Sequence, residues 1–202
     1  MHPLNSVKGA ITTGVVLAIL IGIGLSCWAG VGTAFHPIRV DRWVHIVCGV
    51  MWIGLLYYFN VVQTPGLAVA AADKGGPGGA GVAKYIAPRA LLWFRWSALA
   101  TWLSGAAYLM VGFGAVNGLV RAFAMQPGFR TIGTGAWLGT IMLFNVWVLI
   151  WPNQKKILGI VPATDEEKAA ARKTAGIASR INFILSLPML MCMGGQSHGL
   201  PF

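Results

Sequence analysis

The sequence predicts an all-α integral membrane protein, a bundle of about five transmembrane helices forming one domain over 1–202. Composition is the first reason: of 202 residues 56% are hydrophobic and only 10% charged, with a mean hydropathy of +0.70, which is too apolar for a water-soluble domain. The second is that apolar residues gather into five windows near the roughly 20 residues needed to cross the hydrocarbon layer. The third is that these windows are continuous, whereas the strands of a closed barrel alternate over about ten residues.

The first window runs from about Ile11 to Phe35 (11–35) and exceeds the apolar core of a signal peptide, so it is read as a helix. The second covers 43–62 and the third 90–113. Between them Thr64 to Pro88 is expected to be a flexible connector, because Asp73-Lys74-Gly75-Gly76-Pro77-Gly78-Gly79 matches no phosphate-binding fingerprint. The fourth window covers 131–151 and the fifth 178–197. Before the fifth, Thr164-Asp165-Glu166-Glu167 reads as a capping box opening an Ala-rich charged helix, expected to be a solvated stalk. Pro188 is expected to bend helix five, and Gly135 to Gly139 is a small-xxx-small pattern suited to close helix packing. Cys27, Cys48 and Cys192 fall inside predicted helices as small buried residues rather than disulfides.

The net charge of +10 does not imply nucleic acid, because the basic residues are spread over the flanks of the windows. Lys8, Lys74, Lys84, Arg89, Lys155, Lys156, Lys168, Arg172 and Lys173 lie on one side; Arg39, Arg42, Arg121 and Arg130 lie on the other. The positive-inside rule then predicts a cytoplasmic amino terminus and an outer carboxyl terminus. Trp43, Trp93, Trp96, Trp137 and Trp151 fall near window ends, where amphipathic rings favour the interface.

Of four histidines, His2 lies in the tail and His36 in a loop, while His45 begins helix two and His198 ends helix five. Those helices run in opposite directions, so both imidazoles are predicted at the outer face. Facing helices can offer one nitrogen to each side of a porphyrin, so His45 and His198 are candidate ligands of a b-type haem iron. Arg39 and Arg42 could meet its propionates. The plainer reading is a pair of interfacial histidines bonded to backbone or lipid. Met189, Met191 and Met193 are read as core, with an axial-ligand role open to one of them. No Cys-x-x-Cys-His occurs, so no covalent c-type haem is expected. A second polar cluster gathers Asn60, Gln63, Arg95, Asn153, Gln154, Lys155, Arg180 and Asn182 at the predicted cytoplasmic side. Arg95 inside a window should meet an amide, a carbonyl, a lipid phosphate or a ligand, or else snorkel to the headgroups.

The runs Trp43-Val44-His45-Ile46-Val47-Cys48-Gly49-Val50-Met51-Trp52-Ile53-Gly54, Trp93-Phe94-Arg95-Trp96, Asn145-Val146-Trp147, Trp151-Pro152-Asn153-Gln154-Lys155 and Leu187-Pro188 resemble the membrane domain of the bacterial membrane-bound, cytochrome-linked urate hydroxylases. The resemblance implies a bacterial inner membrane location, urate oxidation, and electrons passed to a c-type cytochrome domain, which is not found within these residues. It also implies histidine at positions 45 and 198, as here, and at two further positions occupied here by Leu92 and Arg180. Three functions are therefore expected: a haem b electron-transfer subunit of a larger redox complex, a urate hydroxylase oxidoreductase with an external cytochrome c acceptor, or a cofactor-free accessory subunit.

Overall fold

A computed structural model describes residues 5–32, 34–113 and 117–201. Among these residues the chain is all helical, in six continuous helices with no strand. Helix α1 (Val7–Trp28) is capped by Ser6, whose hydroxyl accepts from the Gly9 N–H at 3.0 Å, and none of its residues is buried. It belongs to one compact unit, 1–37, and the remainder, 38–202, is a second.

The second unit holds α2 (Pro37–Ala72), α3 (82–111), a short α4 (Gly118–Phe123), α5 (Arg130–Ile157) and α6 (Asp165–His198). Among the described residues four helices are long and apolar enough to cross a membrane: α1, α2, α5 and α6. The third expected span corresponds to α3, whose α-helical part Ala87–Val111 is long enough in residues but less apolar. Arg89 and Arg95 dilute it, and its inward face is hydroxylated, with Ser97, Thr101 and Ser104 all buried.

Helices α2, α3, α5 and α6 are longer than their windows, with a proline at three of the extensions, whereas α1 ends at Trp28, short of the expected Phe35. The expected connector from Thr64 to Pro88 is mostly helical and open only around 73–79. In α2, α3 and α5 a π-helical segment (Tyr58–Gln63, Val82–Ile86, Asn145–Ile150) ends two residues before Pro65, Pro88 and Pro152 respectively. Proline lacks an N–H and crowds the carbonyl four residues back. The backbone widens by a residue instead of breaking. Thr64, Ala87 and Trp151 accordingly bond the carbonyls five residues back, on Phe59, Val82 and Val146. Pro188, by contrast, sits inside α6 with the helix continuous on both sides.

The capping box is formed. Thr164 Oγ1 accepts from the Glu167 N–H, and the Glu167 carboxylate accepts from the Thr164 N–H. The segment that follows is not a free stalk, however: Ala171 and Ala175 are buried, and the first part of α6 packs on Trp151–Ile157. Small alanines on one face let the two helices approach while the lysines stay outside.

The core lies where α2, α3, α5 and α6 meet. Trp52, Leu56, Phe94, Met142 and Val146 are its fully buried side chains, joined by the polar Asn182 and Ser186. The polar pair is satisfied. Asn182 accepts from Asn145 Nδ2 at 2.8 Å and donates to the Met142 carbonyl at 3.0 Å. Ser186 donates to the Phe183 carbonyl, so at 3.1 Å the Tyr57 hydroxyl is the donor to Ser186 Oγ. One turn further along, Asn60 Nδ2 donates to Ser179 Oγ at 2.9 Å. These rungs run up α2 and down α6, so the two helices are antiparallel. Of the cysteines only Cys192 is buried; Cys48 is half-buried and Cys27 is exposed.

Candidate functional site

The antiparallel pairing fixes the height of both candidate ligands. His45 lies twelve residues before Tyr57 and His198 twelve after Ser186. At a rise of about 1.5 Å per residue each stands roughly 18 Å from the Tyr57–Ser186 bond, at the same end of the bundle. Both line one cavity of about 650 Å³.

Most of the cavity wall is apolar: Leu109, Phe113, Leu119, Phe123, Ile132 and Met189 face it, with Trp52 among its lining residues. Its volume falls within the roughly 300–1,000 Å³ of small-molecule and cofactor sites. Two glycines shape it in opposite ways. A Cβ on Gly139 would meet no atom within 4 Å, so the missing side chain leaves open space. A Cβ on Gly105 would fall 2.8 Å from His45 Cε1 and 3.0 Å from Nδ1, so the His45 ring occupies the place of the absent side chain.

His45 is half-buried and its Nδ1 lies 2.8 Å from the Thr101 carbonyl. A carbonyl only accepts, so Nδ1 carries a proton, and the tautomer this bond selects has its lone pair on Nε2. That is the tautomer of a metal-ligating histidine oriented by a backbone carbonyl. His198 is exposed in the last turn of α6, before Gly199 at φ +84°. The same turn is tied down by Gln196. Its Oε1 accepts from the Ile132 N–H at 3.0 Å, and its Nε2 donates to the Gly128 carbonyl at 3.2 Å, joining the end of α6 to the start of α5.

Arg42 and Arg39 are both exposed; Arg42 lines this cavity with the histidines and Arg39 does not. Met189 and Met193 line it, and Met191 points outward. His36 is exposed, and His2 lies outside the described residues. Among the described residues no group of three or more His, Cys, Asp or Glu side chains converges to hold a metal ion. Two imidazoles and a guanidinium nevertheless line one mostly apolar cavity.

The other polar cluster is only partly assembled. Asn60 is consumed by Ser179 and the Leu56 carbonyl, Asn153 by the Leu149 carbonyl, and Asn182 by the core. Gln63 Oε1 is buried without a hydrogen-bond partner, Gln154 is half-buried, and Arg180 is exposed. Arg95 has a partner other than those expected: its guanidinium lies 3.8 Å over the Trp151 ring. Lys155 Nζ lies 6.0 Å from the centroid of the same ring.

Compared with known proteins, the chain matches the model of the Urate oxidase N-terminal family over residues 36–121 and 113–202. The chain belongs to the Urate oxidase N-terminal family. No curated protein and no solved structure matches it. The first family segment contains His45 with its Thr101 and Gly105 supports, and the second contains His198 with Gln196. Helix α1 precedes both. Leu92 and Arg180, where the urate hydroxylase resemblance implied histidine, are both exposed and do not line the cavity. Sequence reasoning missed Thr101, Gln196 and the two roles of Gly105 and Gly139. Of these only Gly139 left a signal, in the small-xxx-small pattern read as packing alone.

Proposed function

We propose that this Urate oxidase N-terminal family member is a multi-pass inner-membrane subunit that binds b-type haem through His45 and His198 and carries electrons within a larger redox complex. The single observation carrying this reading is that both histidines line one apolar cavity, with the His45 tautomer leaving Nε2 available. When bound, haem supplies a one-electron couple. The residues of the chain do the rest: the Thr101 carbonyl fixes the His45 ring, Gln196 steadies the turn bearing His198, and Arg42 offers positive charge to a propionate. The Phe and Leu walls exclude water. A cytochrome c or another subunit of the complex is the acceptor this reading requires.

A reduced-minus-oxidised visible spectrum of the purified protein, with pyridine extraction, tests the reading. A b-type signal lost in His45→Ala and in His198→Ala is the expected result; a signal unchanged in both variants sinks it. Family membership favours a second reading, urate hydroxylation with an external cytochrome c acceptor. Urate turnover by the purified protein tests that reading, and no turnover with a competent acceptor removes it.

A further inference from the structure

We propose that Arg95, Trp151 and Lys155 form the head site of a bound anionic phospholipid, whose acyl chain lies in the groove between α3 and α5. This site is separate from the histidine cavity.

The charge argument comes first. Arg95 stacks its guanidinium face on Trp151, and Lys155, one turn along α5, rides on the same ring. Stacking uses the face of the guanidinium and leaves its in-plane N–H donors free. Among the described residues neither side chain donates a hydrogen bond to the protein, and the one ion pair is elsewhere, between Lys168 and Asp165. Two cations held at one ring without a carboxylate complement a phosphate. Basic pockets between membrane helices bind lipid head groups in this way.

The groove supplies the second argument. An apolar groove of about 590 Å³ is lined by Trp96, Leu99 and Leu103 from α3 and by Leu143, Phe144 and Trp147 from α5. Leu99 lies one turn beyond Arg95 on α3 and Trp147 one turn before Trp151 on α5, so the groove continues the faces that carry the stacked pair. Along α3 it runs from Trp96 to Leu103, roughly 10 Å at about 1.5 Å per residue. The Trp96–Trp147 edge-to-face pair and the Trp102 Nε1–H bond to Thr140 Oγ1 at 2.9 Å tie its two sides together. A head site opening onto an apolar channel fits a phosphate esterified to a hydrocarbon chain better than it fits a free anion.

Native mass spectrometry of the purified full chain in mild detergent tests this, with phosphatidylglycerol and phosphatidylcholine of identical long acyl chains. Phosphatidylglycerol should bind at least tenfold more tightly. At about 1 kcal/mol per basic residue, Arg95→Gln and Lys155→Gln should each weaken it roughly fivefold and leave phosphatidylcholine unchanged. Lys155 is half-exposed, so its variant reports even if the arginine variant misfolds. Equal binding of the two lipids, or selectivity intact in both variants, overturns the proposal. Short-chain phosphatidylglycerol binding as tightly as the long-chain form, together with displacement by millimolar inorganic phosphate, identifies a free-anion site and overturns it also.

Discussion

Replacing Gly105 by alanine tests whether the His45 ring is held where a ligand must be. The new Cβ would lie 2.8 Å from Cε1 and 3.0 Å from Nδ1, whereas carbon atoms rest at about 3.5–4.0 Å. The ring must therefore retreat by roughly 0.5–1 Å. It is tethered by the 2.8 Å bond from Nδ1 to the Thr101 carbonyl, and a retreat of that size stretches or breaks the bond. Overpacking and the weakened bond together cost about 1–3 kcal/mol. Against this, glycine to alanine in a helix interior gains about 1 kcal/mol.

Gly139→Ala removes that offset from the comparison. Gly139 is helical and buried in the same cavity, but a Cβ there meets nothing within 4 Å. It gains the propensity and pays no overlap, so Gly105→Ala should be less stable than Gly139→Ala by about 1–3 kcal/mol. Thermal unfolding of both variants in the same detergent measures this, at roughly 2–4 °C per kcal/mol for a chain of this size. If His45 ligates haem, Gly105→Ala should also weaken haem retention by about 10–100-fold, as loss of a ligand's orienting contact does. Equal melting of the two variants with identical spectra would show that the ring is not confined and refute the reasoning.

Two further outcomes follow from the hydrogen bonds. Asn145→Leu and Asn182→Leu should each destabilise by about 0.6–2 kcal/mol, and a double-mutant cycle should return a coupling of about 0.5 kcal/mol or more, since their 2.8 Å bond is buried; strictly additive losses would count against the pair. Gln196→Leu should speed amide hydrogen exchange at Ile132 and, if His198 ligates haem, change the haem spectrum by loosening the His198 turn, with Gln196→Glu restoring the acceptor half; unchanged exchange would deny Gln196 its role.

Much of the helical layout was legible because long apolar runs and a capping box are local signals. The capping box at Thr164 announced α6 on its own. What failed to be legible depended on how local rules are resolved by tertiary packing. The stretch from Thr64 to Pro88 read as a connector, yet widened π-helical turns carry the helices past Pro65 and up to Pro88. The alanines after the capping box read as a solvated helix, because their small size says nothing about whether a neighbour is present. Arg95 was expected to meet an amide, a carbonyl, a lipid phosphate or a ligand, or to snorkel; the face of Trp151, which attracts it by its quadrupole while leaving its in-plane donors free, is a contact that residue polarity does not announce.

The histidine pair shows where sequence stops and coordinates are needed. Opposite helix directions bring His45 and His198 to one end, but each residue turns a helix by about 100°, so height alone leaves the facing direction open. The rotation is set by the Tyr57–Ser186 and Asn60–Ser179 rungs, which turn one face of α2 toward one face of α6. Gly135 and Gly139 make the same point at smaller scale. They share one motif and one helix face, yet a Cβ on Gly135 would press on Cys192 at 3.2 Å while one on Gly139 would enter the cavity. One glycine permits α5 and α6 to close, and the next, a turn away, leaves the space into which both histidines look. Spacing alone predicts that both are small, and only the position of α6 decides which is packing and which is pocket.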